Sequence, residues 1–373
     1  MENSSIISVL AIIIVLLFLF FSVFLLTVKT EKKLSNALLA AFLVVTAIDI
    51  SAFFYMQYIQ LPLALEMLRI KISNFKDPLL FLYILSVIYS NFKLKRIHLI
   101  FVLPWVINIV VLIPRFFLGD TTAKMEFFTQ YDQTVEGQFL TVFGHVVSLA
   151  YFLATVYYVL RYRKLLLENY TDKNAFKNYI WLKQLLILIT IGQCLTIVKN
   201  TSRGIYANET IDALRILTLL FGVFFIFWLV FKALNSPKLF RGIDVNLQAS
   251  KEITKDTAVN EKINQQIALL KNYMKDEEPF LNPSLSIRNL AEQMNIPPRE
   301  LSVLINQNLN QHFFDFVNEY RINKAKEILK DLSKSEFTVL EILYEVGFNS
   351  KSSFNTAFKK HTGTTPTQYR KTT

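Results

Sequence analysis

Seven apolar runs within the first 234 residues constrain this chain more than any other feature. They are Ile6 to Val28, Ala37 to Tyr58, Asp77 to Ser90, His98 to Leu118, Phe139 to Leu160, Tyr179 to Val198 and Ile211 to Leu234. About twenty apolar residues coiled as a helix match the hydrocarbon thickness of a bilayer, and a helix satisfies its own backbone polar groups there. The pattern predicts a seven-helix transmembrane domain over residues 1–235. The third run is the shortest. Glu66, Arg69, Lys71 and Lys76 precede it, so its helix is expected to begin nearer Leu65. The first run is long enough to span, and basic residues follow it instead of preceding it, which reads as a first transmembrane helix and not a cleaved targeting peptide.

Loop charges test the count independently. Lys29, Lys32 and Lys33 follow the first run, Lys93, Lys95 and Arg96 the third, Arg161, Arg163, Lys164, Lys173 and Lys177 the fifth, and Lys232, Lys238 and Arg241 the seventh. The other loops are poorer in Lys and Arg; the one from Arg115 to Gly137 carries Asp120, Glu126, Asp132 and Glu136. By the positive-inside rule the amino terminus is expected outside and the carboxyl terminus in the cytoplasm, on opposite sides as an odd span count requires. Much of the net charge of +11 lies in these loops, so it is no argument by itself for a nucleic-acid partner.

Ionisable groups inside spans are costly and mark functional hypotheses. Asp49, Glu66, Arg69, Lys71, His145, Asp212 and Arg215 are such groups, and an outward-facing polar pocket for a small-molecule or peptide ligand is expected from them. The competing reading is pairing between helices and snorkelling to the interface. His98, His145, His312 and His361 show no metal-ligand spacing, and there is no Gly-rich phosphate loop or Ser-containing elbow. No enzyme, metal or cofactor is expected. The single cysteine, Cys194, lies in an apolar run and is expected to pack as a small hydrophobe.

Composition changes at Ser236-Pro237 from apolar to ordinary soluble protein. Residues 236–259 mix Pro, Gly, Asp, Lys and Ser and are expected to form a linker. From 260 to 373 the pattern is helical. Ile263, Ile267, Leu270 and Met274 recur on one helix face. Ser286 is a helix cap for the segment carrying Leu290, Ala291 and Met294; a turn at Asn295-Ile296-Pro297 leads to a helix from Pro298 to Asn306. After a longer helix from Phe314 to Leu332 the pattern returns. Thr338 caps a segment with Val339, Ile342, Leu343 and Val346, Gly347 permits the turn, and a helix from Ser350 to Lys360 follows. Two helix-turn-helix units joined by one helix make an all-α domain far more specific than a single helical hairpin.

The run Glu341-Ile342-Leu343-Tyr344-Glu345-Val346-Gly347-Phe348-Asn349-Ser350, continuing through Ser353-Phe354-Asn355-Thr356-Ala357-Phe358-Lys359-Lys360 to Gly363-Thr364-Thr365-Pro366 and Tyr369-Arg370, resembles the signature of the AraC/XylS transcription regulators. Leu290-Ala291 and Phe316 to Ala325, with Tyr320-Arg321, fit as well. The resemblance covers about the last 110 residues. It implies that the second helix of each unit enters a major groove. Arg299, Glu300, Ser302, Val303 and Asn306 would then read bases from the first unit, and Ser350, Lys351, Ser352, Asn355 and Thr356 from the second. Lys can donate to guanine, Asn can pair with adenine, and Val or Thr methyls can meet thymine. Ser353, Lys359 and Lys360 are assigned to phosphates, which give affinity and register. Thr356 stands where many relatives carry Arg, and Pro297-Pro298 where a Ser or Thr cap is common.

The sequence thus predicts a multi-pass protein of the bacterial cytoplasmic membrane that binds double-stranded DNA in the cytoplasm. Lipid, a second copy of the chain, RNA polymerase and an unidentified ligand are its expected partners. In the alternative, the membrane half is a transporter or a plain anchor for the tethered domain; proteolytic release between Ser236 and Asn260 is a further route.

Overall fold

The computed structural model describes residues 2–30, 32–89, 91–171, 173–202, 206–235, 260–331, 333 and 336–372. The described residues are overwhelmingly helical and contain no strand beyond one isolated bridge. Chain contacts divide the protein into two compact units, Met1–Val159 with Ile180–Asp244 and Leu160–Tyr179 with Val245–Thr373. The predicted linker, 236–259, lies outside the described residues. Leu160–Tyr179, expected to be part of the first domain, belongs by its contacts to the second.

In the first unit the helices are α1 (Glu2–Thr27), α2 (Lys33–Tyr55), α3 (Leu63–Ile72), α4 (Lys76–Ile88), α5 (Leu103–Leu112), α6 (Thr121–Thr129), α7 (Val135–Asn169), α8 (Lys177–Thr201) and α9 (Asn208–Asn235). The last ten residues of α7 belong to the second unit. Six described helical segments are long and apolar enough to cross a membrane: Ser5–Thr27, Lys33–Tyr55, Arg96–Phe117, Val135–Asn169, Lys177–Thr201 and Asn208–Asn235. Each coincides with one of the expected runs. The third run, Asp77 to Ser90, forms the 13-residue α4, and its expected extension toward Leu65 is interrupted by a 3₁₀ turn at Ser73–Phe75 after α3. The count of seven is therefore not reached by single continuous helices. The reason is length: 13 helical residues rise only about 20 Å, short of a hydrocarbon core of roughly 30 Å, while Leu80 through Ile88 are all buried and α4 packs on α2.

Helix α1 packs on α2 and α9. Its outward residues are as apolar as its buried ones; Leu16 and Phe20 are 61% and 75% exposed while Ile14 and Phe18 are buried. A surface of that kind is compatible with a hydrocarbon surrounding. Some buried polar groups are paired, while others, such as the Trp105 indole N–H and Gln184 Oε1, have no hydrogen-bond partner. The Trp181 indole donates to the Tyr83 hydroxyl at 2.7 Å, and Ser22 Oγ donates to the Phe18 carbonyl at 2.7 Å.

The second unit contains α10 (Asn260–Asp276), α11 (Ile287–Gln293), α12 (Pro298–Val303), α13 (Phe313–Lys330), α14 (Val339–Glu345), α15 (Lys351–Thr362) and α16 (Pro366–Thr372). Two apolar clusters organise it. One gathers Leu270 and Met274 of α10, Leu290 and Ala291 of α11, Leu301 of α12, and Phe313, Phe316 and Val317 of α13. The other gathers Ile322, Ala325, Ile328 and Leu329 of α13, Ile342 and Leu343 of α14, and Phe354, Ala357 and Phe358 of α15. Helix α13 gives its amino-terminal half to one core and its carboxyl-terminal half to the other, so it sets the spacing of the two helix-turn-helix units.

Candidate nucleic-acid interface

The two units are closed by the same backbone device. In the first, Asn295 adopts φ +54°, its N–H donates to the Glu292 carbonyl at 3.2 Å, and the Ile296 N–H donates to the Ala291 carbonyl at 3.0 Å. In the second, Gly347 adopts φ +85°, its N–H donates to Tyr344 at 3.0 Å, and the Phe348 N–H donates to Leu343 at 2.8 Å. A left-handed residue with this pair of bonds satisfies the last carbonyls of a helix and turns the chain sharply into the next.

The starts match as well. The Asn289 N–H donates to Ser286 Oγ at 3.2 Å, and the Ser286 N–H to Asn289 Oδ1 at 3.3 Å. The Glu341 N–H donates to Thr338 Oγ1 at 3.1 Å, and the Thr338 N–H to Glu341 Oε2 at 2.7 Å. These donations from Thr338 hold the Glu341 carboxyl below its ordinary range. Thr338→Ala is expected to cost about 1 kcal/mol of domain stability at neutral pH. Because the folded pKa is depressed, the carboxylate's part of the box is present above the unfolded value and fades as pH falls through the folded one. Melting curves of wild type and Thr338→Ala, followed down the pH scale, should draw closer without meeting, because the Glu341 N–H bond to Thr338 Oγ1 does not titrate.

The reader helices differ from each other. Helix α12 begins with Pro298 at its first position, where a missing N–H costs nothing, and Pro297 precedes it without a side-chain cap. It continues as a π-helical turn, Leu304–Asn308. Arg299 and Glu300 are exposed and Val303 is half-buried. Ser302 is turned inward, 7% exposed, and its Oγ accepts from Asn306 Nδ2 at 3.0 Å. The structure thus ties Ser302 and Asn306 to each other and not to an open face, while Gln307 and Asn308, not expected as readers, are exposed beyond them. The π turn follows Ser302 and carries Asn306, Gln307 and Asn308, and nothing in the local pattern announced it.

In α15, Ser350 caps the helix by accepting from the Ser353 N–H at 3.4 Å. Lys351, Ser352, Thr356, Lys359 and Lys360 are exposed and Asn355 is half-buried. Ser353 is only 8% exposed, so its side chain is part of the packing, against its expected place at a phosphate. Thr356 Oγ1 donates to the Ser352 carbonyl at 2.7 Å, leaving its methyl for a base contact. Lys360 Nζ lies 2.6 Å from Asp315 Oδ1 at the start of α13, so a phosphate would have to draw it from that pair. Phe348, Phe354 and Phe358 are buried and Tyr369 packs on them, as expected of core.

A family model described as a helix-turn-helix domain matches residues 290–372. The C-terminal domain is an AraC-type helix-turn-helix domain. The family match leaves residues 1–289 outside it. An uncharacterized HTH-type transcriptional regulator of Staphylococcus aureus is 34% identical over 93 residues, 25% of this chain and 12% of that protein. One from Pseudoalteromonas carrageenovora is 39% identical over 74 residues, 20% of this chain and 39% of its own length. This chain therefore spans well under half of these relatives. Among solved structures, the C-terminal domain of AraT, a response regulator from Geobacillus stearothermophilus, is 32% identical, covering 32% of this chain and 89% of that one at a TM-score of 0.24.

In the first unit the expected ligand-pocket residues separate into groups. Glu66 accepts from Arg69 Nη2 at 2.7 Å and from the Tyr55 hydroxyl, and Arg69 also reaches the Asp49 carbonyl at 3.4 Å. Lys76 Nζ donates to Asp49 Oδ2 at 2.9 Å. Asp49, Glu66 and Arg69 thus share one cluster with Tyr55 and Lys76, two residues that sequence reasoning did not assign to it. Lys71, buried, donates to the Tyr131 hydroxyl at 2.7 Å. Asp212 and Arg215 pair one turn apart on α9 at 2.7 Å. His145 is exposed on α7, apart from these groups.

Proposed function

We propose that this chain is a membrane-bound, sequence-specific DNA-binding transcription regulator. The observation that carries the reading is the paired helix-turn-helix arrangement, with Arg299 and Glu300 on one reader helix and Lys351, Ser352 and Thr356 on the other, all exposed. The names of the matched relatives, HTH-type transcriptional regulators, support it. Arg299, Glu300, Val303, Gln307 and Asn308 are the proposed readers of the first groove; Lys351, Ser352, Asn355 and Thr356 are those of the second. Lys359 and Lys360 are the proposed phosphate contacts.

The apolar helices of the first unit support an embedding in the cytoplasmic membrane, with lipid as solvent, the amino terminus outside and the DNA-binding domain in the cytoplasm. The cluster of Asp49, Glu66, Arg69, Tyr55 and Lys76 is the proposed place where an extracytoplasmic or membrane signal acts. Pairing of two copies and contact with RNA polymerase belong to the same proposal, because a domain of nearly balanced charge has little nonspecific affinity to rely on.

Chromatin immunoprecipitation of the full-length protein should give sharp sites near promoters, lost when the chain is truncated before residue 255. Lys351→Ala with Asn355→Ala should weaken capture of those sites roughly 30-fold or more, since a good base contact contributes about 1–3 kcal/mol. Unchanged binding by a folded double variant would refute the assignment of α15.

A further inference from the structure

Leu160–Tyr179 is a basic segment whose two ends run into α7 and α8, yet its contacts place it in the same compact unit as the AraC-type domain. Three contacts of different chemistry hold it there. Tyr170 and Ser286 form an antiparallel backbone bridge. Thr171 Oγ1 donates to the Leu285 carbonyl at 2.6 Å, and Thr171 is buried, 5% exposed. Phe176 meets Phe314 edge to face, with ring centroids 5.8 Å apart. Burial raises the Tyr170 phenol above its ordinary range, and the charge of Arg288, in the first turn of α11, pulls it partly back.

The place is specific. Leu285 and Ser286 are the last residues before α11, the first helix of the first helix-turn-helix unit, and Ser286 caps it. Phe314 lies in the first turn of α13, next to Asp315, which holds Lys360 of the second reader helix. In a helix-turn-helix the first helix crosses the DNA backbone while the second enters the groove. A segment paired to the chain at the amino end of α11 therefore lies against the helix that a helix-turn-helix sets across the DNA backbone.

We infer that Leu160–Tyr179 is an intramolecular strap that competes with DNA for the first helix-turn-helix unit. The inference rests on the DNA-binding reading and names the regulation of that site. Because both ends of the strap continue into membrane-spanning helices, a rearrangement of α7 or α8 that withdraws it shifts the domain toward DNA. A signal can move this equilibrium only through its different affinity for the strapped and free states.

The test uses the full-length protein in lipid nanodiscs, with Cys194→Ser to remove the native thiol. Residues facing each other in an antiparallel bridge lie within disulfide reach, so Tyr170→Cys with Ser286→Cys should cross-link under mild oxidation. The probe is the duplex pool enriched from random sequence by the reduced protein. The cross-linked form should bind it about 5- to 150-fold more weakly, the usual span of a coupling between sites, and reductant should restore binding. Conversely, Thr171→Val with Phe176→Ala should tighten it. Absence of a cross-link overturns the contact, and a cross-link without change in affinity overturns the competition while leaving the DNA-binding reading intact. If the reduced protein enriches no duplex at all, the DNA-binding reading falls and the competition with it.

Discussion

Gly347→Ala is expected to destabilise the second helix-turn-helix unit by about 3 kcal/mol or more and to abolish DNA capture. A Cβ at this position would lie 2.6 Å from the Phe280 carbonyl oxygen and 2.7 Å from that of Leu281. Both are backbone atoms, which cannot rotate away as a side-chain tip can. The positive φ adds a conformational cost that any L side chain bears. Gly363 separates the two effects, because it too has positive φ, at +76°, but nothing lies within 4 Å of its Cβ position. Gly363→Ala should cost only about 1–2 kcal/mol. Amide hydrogen exchange over 339–362 in the full-length protein reads both. Equal protection losses in the two variants would show that the close approach to Phe280 and Leu281 contributes nothing.

The second large effect is expected at Arg321. Its side chain is 1% exposed, its Nε donates to the Phe280 carbonyl and its Nη2 to the Asn282 carbonyl, both at 2.7 Å, and its guanidinium lies 5.5 Å from the Phe348 ring centroid. One planar group on α13 therefore fixes the Phe280–Asn282 turn and also touches the second unit. Arg321→Met removes both donors and strands two carbonyls, for a loss of roughly 2–5 kcal/mol. Arg321→Lys keeps a charge but not the fork that reaches two acceptors, so it should recover little. Exchange at 280–285 and at 346–350 should rise together in Arg321→Met. A rise confined to one segment would refute the role of this residue in joining the two units.

The same turn, Phe280–Asn282, thus meets both Gly347 and Arg321. Neither residue was assigned this part from sequence. Gly347 was recognised as the residue that permits a turn, and Arg321 as one that fits the family pattern. Their shared partner precedes them by tens of residues, and a local pattern carries no trace of it.

What the amino-acid sequence determined by itself is whatever depends on neighbours along the chain. Apolar run length marked the six long helices, and Ser286, Thr338, Asn295 and Gly347 marked the helix starts and turns, because span length, capping and left-handed backbone are local properties. The resemblance then assigned groove-facing helices. Tertiary structure decided the rest. It buried Leu80 through Ile88 of α4 and interrupted the expected extension of the third run toward Leu65; it turned Ser302 and Ser353 inward and left Gln307 and Asn308 exposed on the first reader. It also gathered Tyr55 and Lys76 with Asp49, Glu66 and Arg69, and brought Thr171 to Leu285. Each of these is a contact between residues far apart in the chain or a displacement of helical register, and helical periodicity specifies which residues share a face without specifying what that face will meet.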